Sequence, residues 1–283
     1  MQIFQTIPEI RKFVQTQREC GKKIGLVPTM GYLHEGHLSL VRRAAEDGHT
    51  VVVSIFVNPL QFGVGEDYEE YPRDLTRDVE LLEQTGLEVV LFAPAVKEMY
   101  PQGYATFVEV ERLTSGLCGR SRPGHFRGVT TVVTKLFNIV QPDKAYFGQK
   151  DAQQAIVIKR MVADLNQPLE IVVAPIVREA DGLAMSSRNV YLNPEERRQA
   201  VVLFQSLQLA REMIEQGCRD VAEIKEAIIR KLQSAPLASI DYVEIVDGVN
   251  LEEITTLAGP VLIALAVRFG KTRLIDNIML EVS

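Results

Sequence analysis

The sequence predicts an α/β protein: a doubly wound parallel sheet followed by a second, smaller α+β domain. Strand-like and helix-like segments alternate from Ile24 to Val177, which is typical of parallel strands joined by helices. The continuous apolar run Val51–Val57 is typical of a strand covered on both faces. After Val177, two helix-like segments come first and three strand-like runs follow. We therefore expect one domain at residues 1–177 and another at residues 178–283.

Local patterns give the elements of the first domain. A helix is predicted at Pro8–Arg18, where apolar residues recur at helical spacing and Gly21 provides the stop. Glu66 to Asp74 and Pro94 to Gly103 are predicted loops. The remaining predicted elements are, in order, strand Ile24–Val27, a helix after His37, strand Val51–Val57, helix Leu75–Gln84, strand Val89–Phe92, helix Gly128–Val140, strand Lys144–Phe147, helix Ala152–Leu165 and strand Leu169–Val177.

The second domain begins with a clear helix signal. Asn193 is a cap, Pro194 occupies the first helical position, and two glutamates follow in the first turn. We expect helices at Pro194–Gln216 and Asp220–Gln233. The predicted strands are Ile240–Val246, Val261–Val267 and Arg273–Leu280.

Composition excludes several classes of protein. Lys and Arg number 31 against 37 Asp and Glu, a net charge of −6, which argues against a nucleic-acid partner. Three isolated cysteines without a C-x-x-C indicate neither a disulfide framework nor a zinc site. No apolar run is long enough to span a bilayer, and no signal peptide is recognisable. We expect a cytoplasmic protein.

The stretch from Val27 to Val41 points to chemistry. A β-branched run, a Pro and Gly turn and an apolar-periodic segment predict a strand that enters a helix through a tight loop. His34 and His37 fall where this helix begins, and residues three apart share a helix face. Free N–H groups of the first turn attract anions, so we favour phosphate binding over metal ligation, for which no further ligands are evident. A purely structural pair stays an alternative.

A resemblance follows from five motifs. H-E-G-H at His34–His37 resembles the H-x-G-H signature of the nucleotidylyl transferase superfamily, which includes the class I aminoacyl-tRNA synthetases. M-S-S-R-N at Met185–Asn189 resembles the K-M-S-K-S type loop of that superfamily. Between them lie F-V-N-P-L-Q-F-G at Phe56–Gly63, R-P-G-H-F-R-G-V at Arg122–Val129 and Y-F-G-Q-K-D-A-Q-Q at Tyr146–Gln154. This set, in this order, is similar to the pantoate–β-alanine ligase family over nearly the whole chain.

The resemblance implies a Rossmann-like nucleotidylyl transferase fold whose C-terminal domain forms a lid over the active site. It implies an ATP-dependent condensation of (R)-pantoate with β-alanine to pantothenate, through a pantoyl-adenylate, with release of AMP and pyrophosphate. It also implies Mg²⁺ with the ATP, held largely by phosphate and water rather than by protein ligands, and a homodimer. The expected partners are thus ATP, pantoate and β-alanine, with neither nucleic acid nor membrane.

Site residues are implied position by position. His37 is the expected proton donor, and the other expected catalytic residues are His34, Lys150, Ser186, Ser187 and Arg188. The expected ATP-binding residues are Met30, Gly31, Tyr32, Leu33, His34, Glu35, Gly36, His37, Gly148, Gln149, Lys150, Asp151, Val177, Met185, Ser186, Ser187 and Arg188. Gln61 is expected to bind pantoate and β-alanine, Gln154 to bind pantoate, and Asn58 to join Gln61 in binding pantoate. Arg122 and Arg127 have two open interpretations, contact with anionic substrate or structural pairing.

Other functions fit the pattern less well. Gly63-Val64-Gly65 follows a strand, but Tyr68 stands where a dinucleotide fingerprint needs its third glycine, and no Walker motif is present. A related transferase that keeps AMP in a dinucleotide product is one alternative. A non-enzymatic nucleotide-binding protein on the same fold is another, although two phosphate motifs together argue against it.

Overall fold

The computed structural model describes all 283 residues and divides into two compact units. Unit 1 comprises Met1–Glu111, Arg122–Gly148 and Val157–Pro175, and unit 2 comprises Arg112–Ser121, Gln149–Ile156 and Ile176–Ser283. Both units are therefore assembled from separate stretches of the chain. The lid and the domain boundary after Val177 stay predictions.

Unit 1 contains a six-stranded sheet in which every strand pair is parallel. Its strands are β1 (Gln2–Phe4), β2 (Ile24–Thr29), β3 (Thr50–Ile55), β4 (Val89–Phe92), β5 (Lys144–Gly148) and β6 (Glu170–Ala174), in the order β1-β4-β3-β2-β5-β6. The strand order reverses direction between β2 and β5. In open parallel sheets ligands bind beyond the carboxyl ends of the strands at this reversal. The predicted doubly wound parallel sheet is confirmed.

Helices accompany this sheet. They are α1 (Ile7–Glu19), α2 (Glu35–Glu46), α3 (Leu75–Gln84), α4 (Val96–Met99), α6 (His125–Val140) and α7 (Ala152–Asp164), whose first residues belong to unit 2. The short helix α5 (Leu117–Ser121) belongs to unit 2. One core cluster joins α2, α3 and the sheet, and it includes Val27, Val41, Val53 and Leu82, all at most 1% exposed. Each such side chain contributes about 1.5–3 kcal/mol by leaving water, so this cluster fixes the helices against the strands that carry the candidate site.

Unit 2 contains a three-stranded antiparallel sheet. Its strands are β7 (Ala238–Asp247), β8 (Gly259–Phe269) and β9 (Thr272–Val282), and its further helices are α8 (Pro194–Ala200), α9 (Val202–Glu215) and α10 (Val221–Gln233). Every residue from Val261 to Val267 on the central strand is buried, so both faces of the sheet are covered. Helices α9 and α10 pack on one face through a core that includes Leu207 and Ile228. The predicted smaller α+β arrangement is confirmed.

Four elements differ from the prediction. Helix α5, a short helix of five residues, lies outside every predicted element. Strand β1 is absent from the prediction, because three residues are too few for a periodic pattern. Helix α4 lies inside the predicted loop Pro94–Gly103, and it is a single turn. The predicted helix Pro194–Gln216 is two helices that meet at Val201, which ends α8 and caps α9, so the apolar periodicity continues across the break and hides it. None of the helices has the length and apolar character needed to cross a bilayer.

Candidate active site

The loop after β2 carries the first group of site residues. Gly31 and Tyr32 both have left-handed backbones, with φ of 84° and 49°. A Cβ added to Gly31 would lie 2.9 Å from Cγ2 of Ile55 and 3.1 Å from the Asp78 carboxylate. A positive φ and this close approach together require glycine at position 31.

Asp78 on α3 anchors this loop. Its carboxylate accepts the backbone N–H of Tyr32 at 2.7 Å and that of Leu33 at 2.6 Å. The Arg77 guanidinium lies 3.4 Å from the same carboxylate and 4.5 Å above the Tyr32 ring. Burial raises the pKa of Asp78 despite these hydrogen bonds, and the residue is 1% exposed. The loop backbone is therefore held from a helix more than 40 residues away in sequence.

His34 and His37 form a capping box at the start of α2. The Nδ1 atom of His34 accepts the N–H of Gly36 at 3.1 Å, and the Nδ1 atom of His37 accepts the N–H of His34 at 3.3 Å. Their ring centroids are 4.0 Å apart, so the two imidazoles share a face as expected. An accepting ring nitrogen carries no proton, so each neutral ring has its N–H at Nε2. The pair thus offers two imidazole donors of the kind that bind phosphate oxygens.

The prediction of free first-turn N–H groups is wrong for Gly36. Its N–H is occupied by the His34 ring, and the N–H groups of His37 and Leu38 donate to the His34 carbonyl. A histidine cap was not anticipated because Ser, Thr, Asp and Asn are the usual caps. The side chains of the pair, rather than these backbone groups, are the donors that the helix start presents.

Asn58 and Gln61 follow the carboxyl end of β3 in a short 3₁₀ turn at Pro59–Gln61. Asn58 donates to Oε1 of Gln61 at 3.0 Å and to the Gly128 carbonyl at 3.1 Å. Its own oxygen accepts the Leu60 N–H and, at 2.8 Å, the Tyr100 hydroxyl. These bonds use the full capacity of the Asn58 amide, and the residue is 1% exposed. Asn58 lies beside Gln61 and orients that side chain, and its contact with pantoate stays a prediction.

Gln61 also connects two of the predicted site segments. Its Nε2 atom lies 3.1 Å from Sδ of Met30, which brings the turn after β3 next to the loop after β2. Gly128 of α6 makes room for this turn, since a Cβ there would lie 2.2 Å from the Leu60 carbonyl oxygen. Tyr100, which sequence reasoning missed, stays a protonated donor because burial raises its pKa far above the usual range.

Arg122 is structurally paired. Its guanidinium donates to both carboxylate oxygens of Glu66, at 2.7 and 2.6 Å, and to the Gln61 carbonyl at 3.3 Å. The same carbonyl lies 2.9 Å from Nδ1 of His125. Burial alone would raise the pKa of Glu66, but hydrogen bonds and charge from Arg122 lower it to about 2. Arg127 instead stacks 3.9 Å above the Phe107 ring.

In unit 2, the Gln149–Asp151 segment forms a 3₁₀ turn that leads into α7. Lys150 lies 3.7 Å from the Asp151 carboxylate, and its side chain is 21% exposed. Asn277 of β9 donates to the carbonyls of Gln149 and Lys150, at 3.0 and 2.9 Å. Gln154 is half-buried in the first turn of α7. Gly148, the remaining predicted residue here, ends β5 in unit 1.

A small hairpin precedes the M-S-S-R-N motif. The Met185 N–H donates to the Val177 carbonyl at 3.0 Å, and the Glu179 N–H donates to the Leu183 carbonyl at 2.8 Å. Ser186 then caps a 3₁₀ turn at Ser187–Tyr191 by accepting the Arg188 N–H. Val177, Met185, Ser186, Ser187 and Arg188, predicted from one motif and one isolated position, therefore belong to one continuous structure.

A buried ion pair supports the hairpin. Arg178 donates to both oxygens of Asp276, at 2.6 and 3.0 Å, and to the Gly182 carbonyl at 3.0 Å. Its guanidinium also lies 4.7 Å from the Phe204 ring centroid. Asp276 is 2% exposed, and burial raises its pKa despite the arginine. The hairpin stem is thus held to β9.

Sequence reasoning missed the supporting residues Asp78, Tyr100, Arg178, Asp276 and Asn277. A signal existed for three of them. Asp78 lies one turn before Leu82 on the buried side of an amphipathic helix, and Asp276 and Asn277 interrupt the apolar segment 274–280 of β9. Polar residues at apolar positions are usually bonded to something specific. No group of three or more His, Cys, Asp or Glu side chains is arranged to hold a metal ion.

Comparisons with known proteins agree with one another. The family model described as pantoate-beta-alanine ligase matches residues 2–279. The chain is 64% identical to the pantothenate synthetase of Heliobacterium modesticaldum and 60% identical to that of Acetivibrio thermocellus, in each case over 100% of both chains.

Solved structures give the same result. The crystal structure of pantothenate synthetase from Thermus thermophilus superposes with a TM-score of 0.93 at 49% identity, covering 98% of this chain and 99% of that one. A pantoate-beta-alanine ligase from Francisella tularensis, complexed with beta-gamma ATP and beta-alanine, superposes with a TM-score of 0.80 at 34% identity. That comparison covers 99% of this chain and 97% of the other.

Proposed function

The chain belongs to the pantoate-beta-alanine ligase family and is therefore a ligase, and from this premise we propose that it makes pantothenate from pantoate, β-alanine and ATP. In the first step a pantoate carboxylate oxygen attacks the α-phosphorus of ATP, and pyrophosphate leaves. In the second step the β-alanine amine attacks the carbonyl carbon of the pantoyl-adenylate, loses a proton, and AMP leaves. Neither step needs a nucleophilic side chain.

The observation that carries this proposal is the histidine pair. Because the Nδ1 atoms of His34 and His37 are engaged in the capping box, their Nε2–H donors are fixed in direction before any ligand binds. Donors fixed in advance stabilise charge that develops on phosphate oxygens without reorganising during the reaction. We assign His37 as the proton donor and His34 as its partner in phosphate binding. The loop residues Met30, Gly31, Tyr32, Leu33, Glu35 and Gly36 complete this part of the ATP-binding set.

The unit 2 residues supply further donors for ATP. Lys150 contributes a positive charge, and Asp151 is assigned to the ribose hydroxyls. Ser186, Ser187 and Arg188 are assigned to phosphate oxygens, since hydroxyl and guanidinium groups are suited to anions. Gly148, Gln149, Val177 and Met185 are assigned to the nucleotide through their positions in the same segments.

Gln61 is the central substrate residue of the proposal. Its carboxamide is held by Asn58 and lies against Met30, so a single orientation is available to meet pantoate and β-alanine. Gln154 is assigned to pantoate. Asn58 already uses its full hydrogen-bonding capacity, so a direct bond to pantoate would replace one of its present bonds.

Mg²⁺ accompanies ATP in this proposal. The ion would bind phosphate oxygens and water, as is usual for Mg²⁺ in nucleotide sites, and would offset charge on the pyrophosphate as it leaves. The protein's own contribution at this point is the set of histidine, lysine and arginine donors.

We also propose a cytoplasmic homodimer without a nucleic-acid partner. The family resemblance supports the dimer, and the net charge of −6 supports the absence of nucleic acid. Sedimentation analysis across a concentration series would give twice the chain mass of 31.7 kDa, whereas a single species at the chain mass would reject the dimer.

The reaction is tested by pyrophosphate release from Mg-ATP and D-pantoate, with and without β-alanine. We expect pantoate-dependent release, and turnover to AMP and pantothenate only when β-alanine is present. His37→Ala is expected to lower kcat by about 100-fold, the usual scale for loss of a positioned acid.

His49→Ala is the matched control. His49 precedes β3 at the amino-terminal side of the sheet, where its Nδ1 lies 3.2 Å from the Tyr146 hydroxyl. Its removal should leave kcat within about twofold of wild type, since it lies outside the proposed machinery. Release of pyrophosphate without AMP would instead indicate a transferase that retains AMP in its product. No pantoate-dependent release would reject the proposed reaction.

A further inference from the structure

Strand β9 contains two consecutive buried polar residues, Asp276 and Asn277, which are 2% and 3% exposed. Their neighbours Leu274 and Ile278 belong to the apolar core of unit 2. An unbonded polar group in such a place would cost stability, so the partners of these side chains indicate why they are there. Asp276 supports the hairpin before the M-S-S-R-N motif through Arg178. Asn277 has a different partner.

Asn277 binds the backbone on both sides of Lys150. Its Nδ2 atom donates to the carbonyl of Gln149 at 3.0 Å and to the carbonyl of Lys150 at 2.9 Å. Its oxygen lies 3.4 Å from Nε2 of Gln149. Both N–H groups of the amide are therefore used, one for each carbonyl. The Asp276 carboxylate in turn accepts the Asn277 N–H at 2.8 Å.

These two hydrogen bonds fix the direction in which the Lys150 side chain leaves the backbone. The carbonyls of Gln149 and Lys150 belong to the two peptide planes that flank the Lys150 Cα atom. Because peptide units are planar and rigid, fixing both planes also fixes the direction of the Cα–Cβ bond. A lysine side chain is long and loses much rotational freedom when it binds a ligand, so a fixed starting point lowers that cost.

We propose that Asn277 is a positioning residue that directs Lys150 towards the phosphates of ATP. The inference rests on the proposed function for the identity of the anion, but the positioning itself is a property of unit 2 alone. Asn277 does not touch substrate in this account. Its effect on activity passes entirely through Lys150.

Unit 2 offers a matched control in Gln153. This buried amide, 6% exposed, also donates to two carbonyls, those of Leu113 at 2.9 Å and Gly116 at 3.0 Å. Its Oε1 atom accepts the Cys118 N–H at 2.9 Å. Asn277→Ala and Gln153→Ala thus each remove two hydrogen bonds to backbone carbonyls and one bond accepted by the amide oxygen, but only Asn277 binds the backbone of Lys150.

Hydrogen exchange tests the positioning without any substrate. Asn277→Ala should speed amide exchange in a peptide spanning Gln149–Asp151 by about tenfold or more, since each tenfold change corresponds to a lost bond worth about 1.4 kcal/mol. Gln153→Ala should speed exchange in the 113–118 segment instead. Unchanged exchange around Lys150 in folded Asn277→Ala would overturn the inference, whatever the enzyme's reaction proves to be.

A double-mutant cycle tests the consequence for catalysis. Asn277→Ala should lower kcat/KM for ATP by about tenfold while the KM for pantoate stays within about twofold. In a Lys150→Ala background, Asn277→Ala should lower kcat/KM for ATP by less than about threefold. The effects of residues that act through one another are not additive. Gln153→Ala should show the same cost in both backgrounds. If Asn277→Ala does not fold, Asn277→Ser, which keeps one donor, replaces it.

The outcomes separate the two proposals. Fast exchange around Lys150 together with a non-additive cycle supports the positioning role. Full additivity of Asn277→Ala and Lys150→Ala would overturn it, because the amide would then act only on stability. Wild-type enzyme without pantoate-dependent pyrophosphate release would reject the proposed reaction, and the exchange result would still decide the positioning.

Discussion

The loop after β2 in unit 1 and the hairpin before the M-S-S-R-N motif in unit 2 are both anchored by a buried aspartate from a distant part of the chain. In unit 1, Asp78 binds the loop directly and accepts two of its backbone N–H groups. In unit 2, Asp276 binds the side chain of Arg178, which then binds the Gly182 carbonyl. One anchor acts on the backbone, whereas the other acts through a long side chain.

The difference matters for how firmly each segment is held. Two short bonds to consecutive N–H groups fix the backbone where the histidine pair begins. An arginine side chain fixes the hairpin stem, and the turn that follows is held by the Ser186 cap and by Asn189, which donates to the Glu179 carboxylate at 2.8 Å and to the Ala184 carbonyl at 3.2 Å. We therefore expect the unit 1 segment to be preorganised and the unit 2 segment to respond more to ligand. Mutations at the two aspartates should reveal this contrast.

The largest effect is expected for Asp276→Ala. This change leaves the Arg178 guanidinium, whose side chain is 19% exposed, without its carboxylate, and breaking a buried pair costs about 3–5 kcal/mol. Urea unfolding would measure the loss. Combining Asp276→Leu with Arg178→Met should recover most of it, since the uncompensated charge is then gone. A single mutant as stable as wild type would contradict the role of the pair.

The next effect is expected for Asp78→Ala. Two N–H groups lose their acceptor, at a cost of about 3 kcal/mol, and the loop loses its left-handed geometry. The KM for ATP should rise by about tenfold or more as the histidine pair loses its fixed position. Asp74→Ala is the control, because Asp74 caps the same helix from an exposed position and should cost about 1 kcal/mol. An equal rise in KM in both variants would show that α3 as a whole, rather than Asp78, is responsible.

A smaller effect, dependent on pH, is expected for Glu66→Gln. The Glu66–Arg122 pair repeats the two-bond geometry of Asp276–Arg178, but Glu66 is less buried and its pKa is lowered to about 2. A lowered pKa stabilises the folded state above the unfolded value of 4.5, and that stability is lost as the pH falls towards 2. At neutral pH the Glu66–Arg122 pair should contribute about 1–2 kcal/mol to the free energy of unfolding.

The measurement is the difference in unfolding free energy between wild type and Glu66→Gln from pH 7 to about pH 2.5. The difference should be constant above about pH 5 and shrink below it. Glu226 forms an exposed pair with Arg230. The unfolding free energy of Glu226→Gln should therefore stay within about 0.5 kcal/mol of the wild-type value at every pH. A difference that grows on acidification would mean that burial, and not Arg122, determines the pKa of Glu66 in the folded protein.

Much of the fold could be predicted because its signals are local. The alternation of strands and helices, the apolar β3 and β8 segments and the Asn193 cap are all visible over a few residues, and all are present in the structure. The order of the strands in the parallel sheet was harder to predict. Edge strand β1 pairs with β4 across more than 80 residues, and a three-residue strand leaves no periodic pattern.

The residues of the candidate site also fall into two groups, those that the sequence predicts and those that it does not. Motif residues such as His34, His37 and Lys150 could be proposed from sequence, because their chemistry is carried by short ordered strings. Asp78, Asp276 and Asn277 stand out as polar residues at apolar positions, but their binding partners could not be predicted because they lie 45 residues or more away in sequence. A histidine cap was also unexpected, because capping is normally assigned to smaller polar side chains. The family resemblance therefore identified the candidate catalytic residues, and only the structure identified how other residues hold them in place.

Oxygen tracing tests the central claim most directly. Pantoate labelled with ¹⁸O in both carboxylate oxygens is incubated with enzyme, Mg-ATP and β-alanine, and the products are analysed by mass spectrometry. If the carboxylate attacks the α-phosphorus, one labelled oxygen must appear in AMP and the other in the amide carbonyl of pantothenate. Unlabelled AMP, or label in inorganic phosphate together with ADP, would contradict a pantoyl-adenylate and the phosphate-binding roles assigned here.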